Sequence, residues 1–558
     1  MAAGVKQLRR ELSDELVILP PSLPSLVDDD DDALLVVERS AISLTAASDD
    51  ECAIMEAQFF RVATSKRQQY IVPLSGSSSS ANANSSDLDG AMATASRGRV
   101  APVAARRMEL LTADVPSRRV LTTLGLVCVC FFKVCGGPVG SELTVSTAGP
   151  LLGLLGLVVF PLLFNIPITI VIAELCSAFP DDGGFAMWIL NAFGPFWGFL
   201  VGYWAWFGSV FDRILYVQIL FTYLRDAVGV DVRAAMLEYV VKAALALALT
   251  LPSLYGTRGL SAVLFVSLLC VLATFSVFAG WAFAETSSLS TFGEIRRTPD
   301  TEQLDVHWSR YINTLFWNFD GFYLASVFGG EVSNPARTYP RAFRLSFALL
   351  WLTYVVSLAA AVACDRPHWR SWQENTFPDI ARAVGGSALH AVVLVGSLVA
   401  VAGLFMTEVF CEAFQMCGMA DCGLLPAVFQ RRDRHYGAPH AAITFSLVCV
   451  LLGLAFDTTE VLVMKNAFAA AVELLILAAA LQLRRTLPLV PRPSRVPGGL
   501  STLCLVLMLP FAMLLYLIAS VFARPKAALV FVVVSSVGGV CALLRRLRVA
   551  HTQRHRVR

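Results

Sequence analysis

The chain has 558 residues, of which 56% are hydrophobic and only 15% are charged, and its mean hydropathy is +0.64. A soluble protein of this length carries far more charge, so the composition excludes a soluble globular protein. The formal net charge of +2 says little about partners, because in such a chain the positions of the charges matter more than their sum.

Residues 1–115 precede the first apolar run and have a different composition from the rest. They contain an acidic run, Asp28 to Asp32, and the polar tract SGSSSSANANSSD. A segment of this composition cannot bury a hydrophobic core. We therefore predict a disordered cytoplasmic region over 1–115, a membrane domain over 116–548 and a basic cytoplasmic tail over 549–558.

Apolar runs of about 20 residues recur along the membrane domain, and each can cross a hydrocarbon core of about 30 Å as a helix. Backbone groups in lipid must form hydrogen bonds within their own segment, so helices are expected. We predict an all-α polytopic membrane protein with about twelve transmembrane helices. The predicted spans are 120–148, 151–178, 195–224, 232–252, 258–284, 308–331, 341–364, 387–418, 438–456, 459–483, 499–521 and 526–547.

Basic residues indicate the orientation of these spans, because they accumulate on the cytoplasmic side. They concentrate on one side of the predicted membrane domain, near residues 118–119, 337–344, 431–434 and 484–495. Both termini are therefore predicted to be cytoplasmic. The expected location is the plasma membrane, with an intracellular acidic compartment as the alternative.

The first and sixth predicted spans are interrupted at their centres. The first contains CFFKVCGGPVGSE over 130–142, and the sixth contains INTLFWNFDGFYLASVFGGE over 312–331. Glycine, proline and acidic residues at these positions indicate unwound backbone that lines a cavity and does not face lipid. Two interruptions five spans apart predict a five-plus-five inverted repeat with broken helices 1 and 6, and a substrate site between them.

Several stretches carry a family resemblance: GGPVGSE, IAELCSAFPDDGGFAMWILNAFGPFWGF, GGEVSNPARTYPRA and EAFQMCGMADCGLLPAVF. The chain resembles the amino acid–polyamine–organocation superfamily and, within it, the polyamine uptake carriers of plants and protozoan parasites. The resemblance covers roughly residues 115–550 and implies twelve spans, the inverted repeat and proton-coupled secondary uptake. The plant-type pattern has an acid several positions after the sixth-span Trp-Asn, where this chain has Tyr323, while Asp320 lies nearer the interruption.

The first interruption favours an amine over an amino acid as substrate. A substrate carboxylate would bind free N–H groups at a broken helix, but Pro138 removes one N–H and Glu142 adds negative charge. A polyamine needs acids and aromatic faces along an elongated cavity. We therefore predict import of putrescine or spermidine by proton symport. The alternative is a cationic amino acid carrier for arginine or lysine.

The intramembrane acids are the candidate binding groups. Burying a carboxylate in a span costs at least about 2.5 kcal/mol, so each acid needs a partner or a water-filled path. Glu412 and Glu473 also lie inside predicted spans. Only Lys133, Arg213, Lys242 and Lys465 provide cations there, which indicates that several of the acids lack protein partners. The predicted substrate-binding residues are Asp320, Glu142, Glu408, Asp212, Gly136, Gly137, Trp317, Phe322 and Tyr323. The predicted coupling or gating residues are Glu174, Lys133 and Glu331.

Other classes of protein lack their characteristic motifs in this sequence. There is no phosphate-binding loop, no metal-ligand cluster and no nucleophile elbow, so we predict no enzyme, no cofactor and no metal site. Selectivity-filter repeats of channels are also missing. The expected partners are a small cationic substrate, protons and the lipid bilayer, without nucleic acid or an obligate protein partner.

Overall fold

The computed structural model describes residues 119–228, 235–286, 289–298, 301–454 and 461–557. The predicted disordered region, 1–115, lies outside the described residues. Within the described ranges the chain is helical, and β pairing is limited to isolated bridges such as that between Leu121 and Val332. The all-α prediction is confirmed.

The helices follow the predicted apolar runs in order. The N-terminal half contains α1 (Thr123–Val134), α2 (Glu142–Ala148), α3 (Pro150–Phe160), α4 (Ile166–Ala178), α5 (Phe185–Phe193), α6 (Pro195–Val228), α7 (Ala235–Thr250) and α8 (Gly256–Ala284). The C-terminal half contains α9 (Trp308–Phe319), α10 (Pro335–Cys364), α11 (Phe377–Asp421), α12 (His440–Gly453), α13 (Val461–Thr486), α14 (Leu500–Val521) and α15 (Pro525–Val557).

The first predicted interruption is present between α1 and α2. Gly136, Gly137 and Gly140 have φ angles of 63°, 155° and 91°, which residues with a Cβ rarely adopt. The carbonyl of Pro138 accepts hydrogen bonds from the Ser141 N–H at 3.1 Å and from the Ser141 hydroxyl at 2.6 Å. The glycines thus permit the turn, and this pair of hydrogen bonds closes it.

The second predicted interruption follows α9. Asp320 is extended, with φ −74° and ψ 148°, Gly321 has φ 123°, and a 3₁₀-helix runs over Phe322–Val327. A Cβ on Gly321 would lie 3.2 Å from the backbone oxygen of Lys133, so the two interruptions are in contact. Both broken helices are therefore confirmed, and they meet at their breaks.

A π-helical segment, Pro161–Asn165, joins α3 to α4 and supports the second break. The side-chain amide of Asn165 donates a hydrogen bond to the carbonyl of Phe319 at 3.0 Å. That carbonyl belongs to the last turn of α9, where no further helical N–H follows to bind it. Single-turn π segments are frequent at functional sites, and this one aims Asn165 at the end of a broken helix.

Three helical segments lie outside the predicted runs. Helix α5 lies between the second and third predicted spans, and α11 begins at Phe377, before the predicted start at residue 387, with a kink at Gly386 (φ 65°). Helix α10 likewise begins at Pro335, where proline suits the first helical position. These segments are short or mixed in polarity, so a search for long apolar runs does not detect them.

The packing agrees with a membrane environment. Helix α6 packs against α11 and α13, and its Val217 is fully buried, as is Val401 of α11. The outer helices instead expose large apolar side chains, such as Leu505 (69% exposed) and Leu529 (65% exposed). Apolar surface of this kind is unfavourable in water and suited to lipid.

The described residues contain seven helical segments that are long and apolar enough to cross a membrane, and α1 and α12 are shorter apolar helices. Helices α7 and α8 count as one of these segments, Ala235–Ala284, because a 3₁₀ turn joins them directly. The number of twelve crossings and the inverted repeat stay predictions.

Candidate functional site

Five charged side chains converge where the two interruptions face each other. Lys133 comes from the end of α1, Asp212 from α6, Asp320 from the second break, Glu408 from α11 and Lys465 from α13. Each of these side chains is at most 5% exposed. Together they are referred to below as the central cluster.

The two lysines of the central cluster share one aspartate. Lys465 Nζ lies 2.8 Å from Asp320 Oδ2 and 3.7 Å from Asp212 Oδ2. Lys133 Nζ lies 3.8 Å from the same Asp212 oxygen and also contacts Glu408 Oε2. With every member ionised, three carboxylates face two ammonium groups, which leaves the central cluster with an excess of one negative charge.

The central cluster retains open hydrogen-bond acceptors. Asp212 Oδ1, Asp320 Oδ1 and Glu408 Oε1 are buried and have no hydrogen-bond partner among the residues that the structure describes. A buried acceptor left unsatisfied costs about 1–3 kcal/mol. Ammonium groups or protons brought by a ligand can supply the missing donors.

A small cavity, called here the central cavity, adjoins the cluster. Its volume is ≈ 10 Å³, the space of about one water molecule. Its lining combines charged groups, aromatic rings and aliphatic side chains: Lys133, Val134, Cys135, Val139, Tyr216, Trp317, Asp320, Tyr354, Leu404 and Lys465. Acids next to aromatic faces suit a cation that carries apolar carbon. A molecule larger than water fits only if the lining side chains move.

The predicted residues of the first break make contacts within the protein. The Glu142 carboxylate accepts hydrogen bonds from the N–H groups of Gly140 at 2.8 Å and Asn375 at 2.7 Å. A Cβ on Gly136 would lie 2.5 Å from the Leu404 side chain, and Gly137 also packs against α11. The glycines thus let α11 approach the break closely. A direct contact of Glu142, Gly136 or Gly137 with a ligand stays a prediction.

Of the predicted aromatic residues, Trp317 lines the central cavity. Its ring lies 2.3 Å from the place where a Cβ on Gly140 would be, so the second broken helix covers the first break closely. Phe322 and Tyr323 are buried and pack edge to face on Phe343 and Phe185, with ring centroids 5.6 Å and 5.2 Å apart. Trp317 is therefore better placed than Phe322 or Tyr323 to contact a ligand in the present cavity.

Glu174, predicted for coupling, belongs to a second buried cluster. Its carboxylate accepts hydrogen bonds from Arg484 on both oxygens, from Arg492 at 3.4 Å and from the N–H of Val496 at 2.8 Å. The group of Glu174, Arg484, Arg492 and Val496 is called the Glu174 cluster. It ties α4 to the end of α13 and to the segment that follows it.

Glu331, predicted for gating, is part of a three-membered ion bridge. The guanidinium of Arg432 lies 2.7 Å from Glu331 and 2.9 Å from Asp182, and it stacks over Phe414 at 4.8 Å. Burial alone would lower the pKa of Arg432, but the neighbouring carboxylates, Asp182 before Glu331, outweigh burial and raise that pKa. The Arg432 bridge thus holds three separate segments together with a permanent charge.

The sequence indicated more unpaired acids than the structure contains. Glu174 pairs with Arg484, Glu331 with Arg432 and Glu412 with Arg213. Adjacent helical residues point in different directions, so Asp212 faces the lysines while its neighbour Arg213 faces Glu412. The partners of these acids lie on other helices and loops, where a count of charges within spans cannot find them.

Besides four residues with small or aliphatic side chains, the central cavity is lined by a lysine and two tyrosines that the sequence does not predict as site residues. In the sequence Lys465 stands out only as a cation inside a span, although a buried charge in a membrane helix is by itself a sign of function. Tyr216 and Tyr354 line the cavity beside it. Aromatic residues are frequent in membrane helices, so neither tyrosine carried a signal in the sequence.

Many apolar helices, two of them broken around a buried ionic cavity, define a multi-pass membrane transporter. Comparison with known proteins gives the family. The profile of the amino acid permease family, part of the amino acid–polyamine–organocation superfamily, matches residues 121–537. The chain belongs to this family.

Curated relatives from plants are similar over most of the chain. A probable polyamine transporter of Arabidopsis thaliana is 36% identical over 430 residues, which cover 75% of this chain and 85% of that protein. The polyamine transporter RMV1 of the same species is 32% identical, with 74% and 82% covered. The polyamine transporter PUT1 of Oryza sativa subsp. japonica is 33% identical, with 72% and 74% covered.

Proposed function

We propose that the chain is a secondary active transporter that imports polyamines such as putrescine or spermidine by proton symport, with alternating access around the central cavity. The similar plant proteins are named polyamine transporters, which supports this substrate class. The excess of carboxylates in the central cluster supports it as well, because a substrate with several positive charges needs net negative charge at its site.

The position of the Glu142 carboxylate is the observation that carries this proposal. A broken helix would receive the carboxylate of an amino acid at the N–H groups where its second half begins. In this chain the N–H of Gly140 already binds Glu142, and the N–H of Ser141 binds the carbonyl of Pro138. The N–H groups that would bind a substrate carboxylate are therefore already bound to groups of the protein. The central cluster, in contrast, has carboxylate oxygens that can accept hydrogen bonds from an amine.

A substrate amine enters the central cluster by exchange with a lysine. Lys465 contacts both Asp320 and Asp212, so it keeps one carboxylate when it leaves Asp320. The substrate ammonium then pairs with Asp320, and its carbon chain lies along the rings of Trp317 and Tyr216. Because the central cavity holds about one water molecule, the lining side chains must withdraw first. Alternating access provides that motion.

The Arg432 bridge is proposed as the cytoplasmic gate. It connects the segment between α4 and α5, the turn after the second break and the loop after α11. These segments must separate before a substrate can leave between them. Lys133 is proposed to assist coupling by changing partners between Asp212 and Glu408, while the contacts of Glu174 favour a role in holding α4 to α13.

The proposed location is the plasma membrane, with both termini in the cytoplasm. The gate residue Arg432 and the basic residues at the end of α13 lie on the same predicted side as the start of α1. A polyamine imported from outside would be drawn inward by the membrane potential, at about 2.3 kcal/mol per charge per 100 mV.

A cationic amino acid carrier for arginine or lysine is the second candidate. Lys133 and Lys465 line the central cavity, and an ammonium group released from its acid can pair with a substrate carboxylate. The ion pairs in the structure disfavour an amino acid carrier, because Lys133 already pairs with Glu408 and Lys465 with Asp320.

Uptake into proteoliposomes distinguishes the two candidates. Purified protein should accumulate labelled putrescine, and excess spermidine should compete while excess arginine competes poorly. Strong uptake of arginine without uptake of putrescine would overturn the polyamine proposal. Protein-free liposomes provide the background.

The driving ion is tested in the same vesicles with the voltage clamped. Uptake should rise with an inward proton gradient and should persist when sodium is replaced by another cation. Uptake that requires sodium and ignores a protonophore at fixed voltage would contradict proton symport. The clamp is essential because the membrane potential alone drives a polyvalent cation inward.

A further inference from the structure

Glu473 is a buried acid on α13 that takes part in none of the ion pairs of the central cluster. Its carboxyl is 3% exposed, and Glu473 Oε2 has no hydrogen-bond partner within the described ranges. Glu473 lies about two turns after Lys465 on the same helix. A carboxylate with no strong cation beside it is costly in the interior of a membrane protein.

The neighbour of Glu473 is another acid. Its carboxyl group lies beside that of Asp320, whose Oδ2 contacts Lys465 and whose Oδ1 has no hydrogen-bond donor among the described residues. Two ionised carboxylates only accept hydrogen bonds, so a hydrogen bond between them requires one proton. The charge on Asp320 is stabilised by Lys465 at 2.8 Å, and the proton therefore belongs on Glu473.

The other groups around Glu473 fit this assignment. Lys465 interacts with it from the same helix, and Tyr323 interacts from the 3₁₀-helix after the second break. Beyond Lys465 lies Asp212 of α6. Lys465 thus has two aspartates as closer partners, and Glu473 forms no ion pair within the described part of the chain.

We propose that Glu473 binds the proton that accompanies the substrate and donates it in a hydrogen bond to Asp320. This inference rests on the proposed function, because it names the proton-binding residue of that symport. Protonated Glu473 leaves Asp320 as the carboxylate that receives the substrate ammonium. When the proton leaves, Glu473 becomes a second negative charge beside Asp320, and it either repels Asp320 or draws a cation. Proton and substrate thereby act on the same aspartate.

The first test compares Glu473→Gln with Glu473→Asp in proteoliposomes at clamped voltage. The glutamine is permanently neutral and can still donate to Asp320, whereas the aspartate keeps a titratable group. Glu473→Gln should lower proton-driven accumulation of labelled putrescine at least about tenfold, the size of a typical coupling, while exchange of labelled for unlabelled putrescine at equal pH falls much less. Glu473→Asp should keep part of the proton-driven accumulation.

The matched control is Glu285→Gln, which makes the same chemical change on an exposed carboxylate at the end of α8. It should accumulate putrescine like the unaltered chain. Proton-driven accumulation by Glu473→Gln at the unaltered level would overturn the proposal. Equal loss of accumulation and exchange in both Glu473 variants would also overturn it, because Glu473 would then be structural.

A second measurement needs no polyamine. Infrared spectroscopy of the purified protein at neutral pH should show the carbonyl band of a buried protonated carboxyl group, and Glu473→Gln should lose it. A band that persists unchanged in Glu473→Gln would overturn the assignment of the proton. If the unaltered chain imports no putrescine but the band disappears in the variant, the proposed function fails while the proton site on Glu473 stands.

Discussion

The central cluster and the Glu174 cluster are both buried groups of acids and bases, but they differ in how far they are satisfied. Both oxygens of Glu174 accept hydrogen bonds, from Arg484, Arg492 and the N–H of Val496. In the central cluster Asp212, Asp320 and Glu408 each retain at least one oxygen without a hydrogen-bond donor among the described residues. Carboxylate oxygens are thus fully hydrogen-bonded at Glu174 but only partly hydrogen-bonded in the central cluster.

This difference indicates that the Glu174 cluster stabilises the fold and that the central cluster binds a ligand. A buried ion pair contributes to stability only when hydrogen bonds satisfy its remaining polar atoms, and both carboxylate oxygens of Glu174 are satisfied in this way. Open acceptors cost free energy in the absence of a ligand, and a ligand that supplies donors recovers it. The Glu174 cluster is therefore expected to govern stability, and the central cluster to govern transport.

The largest expected effect is on stability, from Glu174→Gln. The variant leaves Arg484 and Arg492, both buried, without their counter-charge. Loss of one partner of a buried ion pair costs about 3–5 kcal/mol. Thermal unfolding of purified protein, followed by size-exclusion chromatography, should show a much lower transition temperature and poor expression. A stable Glu174→Gln protein with impaired proton coupling would instead support the predicted coupling role of Glu174.

The next effect is on transport, from Asp320→Asn. The amide keeps the size of the side chain but removes the charge that pairs with a substrate ammonium, so putrescine uptake should fall at least tenfold, or about 1.4 kcal/mol. Stability should suffer less than in Glu174→Gln, because Lys465 retains Asp212 at 3.7 Å.

Asp226→Asn is the matched control for Asp320→Asn, since the Asp226 side chain is 61% exposed at the end of α6. It should leave both uptake and stability unchanged. Normal uptake by a well-expressed Asp320→Asn protein would move the amine site elsewhere, with Glu142 or Glu408 as the next candidates. If Asp320→Asn destabilises the protein as much as Glu174→Gln does, the conclusion that only the Glu174 cluster governs stability is contradicted.

The smallest effect is expected from Trp317→Leu. Trp317 lines the central cavity, and a cation over its ring gains about 0.5–1 kcal/mol, which corresponds to about a two- to five-fold increase in KM for putrescine when the ring is lost. Initial uptake rates over a range of concentrations separate KM from the maximal rate. Trp317→Phe keeps an aromatic face and should raise KM less. Equal behaviour of the two variants would argue that Trp317 only packs against Gly140.

The sequence predicts the helices and both interruptions because these follow from local patterns. Long apolar runs define the spans, and glycines close to an acid mark the breaks at Gly136 and Asp320. The candidate acids Asp212, Asp320 and Glu408 also stand out locally, as charges inside apolar runs, and the structure brings them together.

The pairing of these charges is not local, and the sequence does not predict it. Lys465 lies 145 residues from Asp320, and Arg484 lies 310 residues from Glu174. Helix packing decides which acids have all their oxygens hydrogen-bonded and which keep a free acceptor. No periodicity within one span contains that information. Several intramembrane acids therefore have basic partners on other helices, and only some of their oxygens lack a hydrogen-bond donor among the described residues.

The most direct test of the account is an experimental structure with putrescine bound. It should show an elongated ligand in a widened central cavity, with one amine in hydrogen-bond contact with Asp320, its carbon chain against Trp317, and Lys465 moved towards Asp212. The Glu174 cluster should be unchanged. A ligand bound away from Asp320 while Lys465 still pairs with it would contradict the assignment of the central cluster as the amine site.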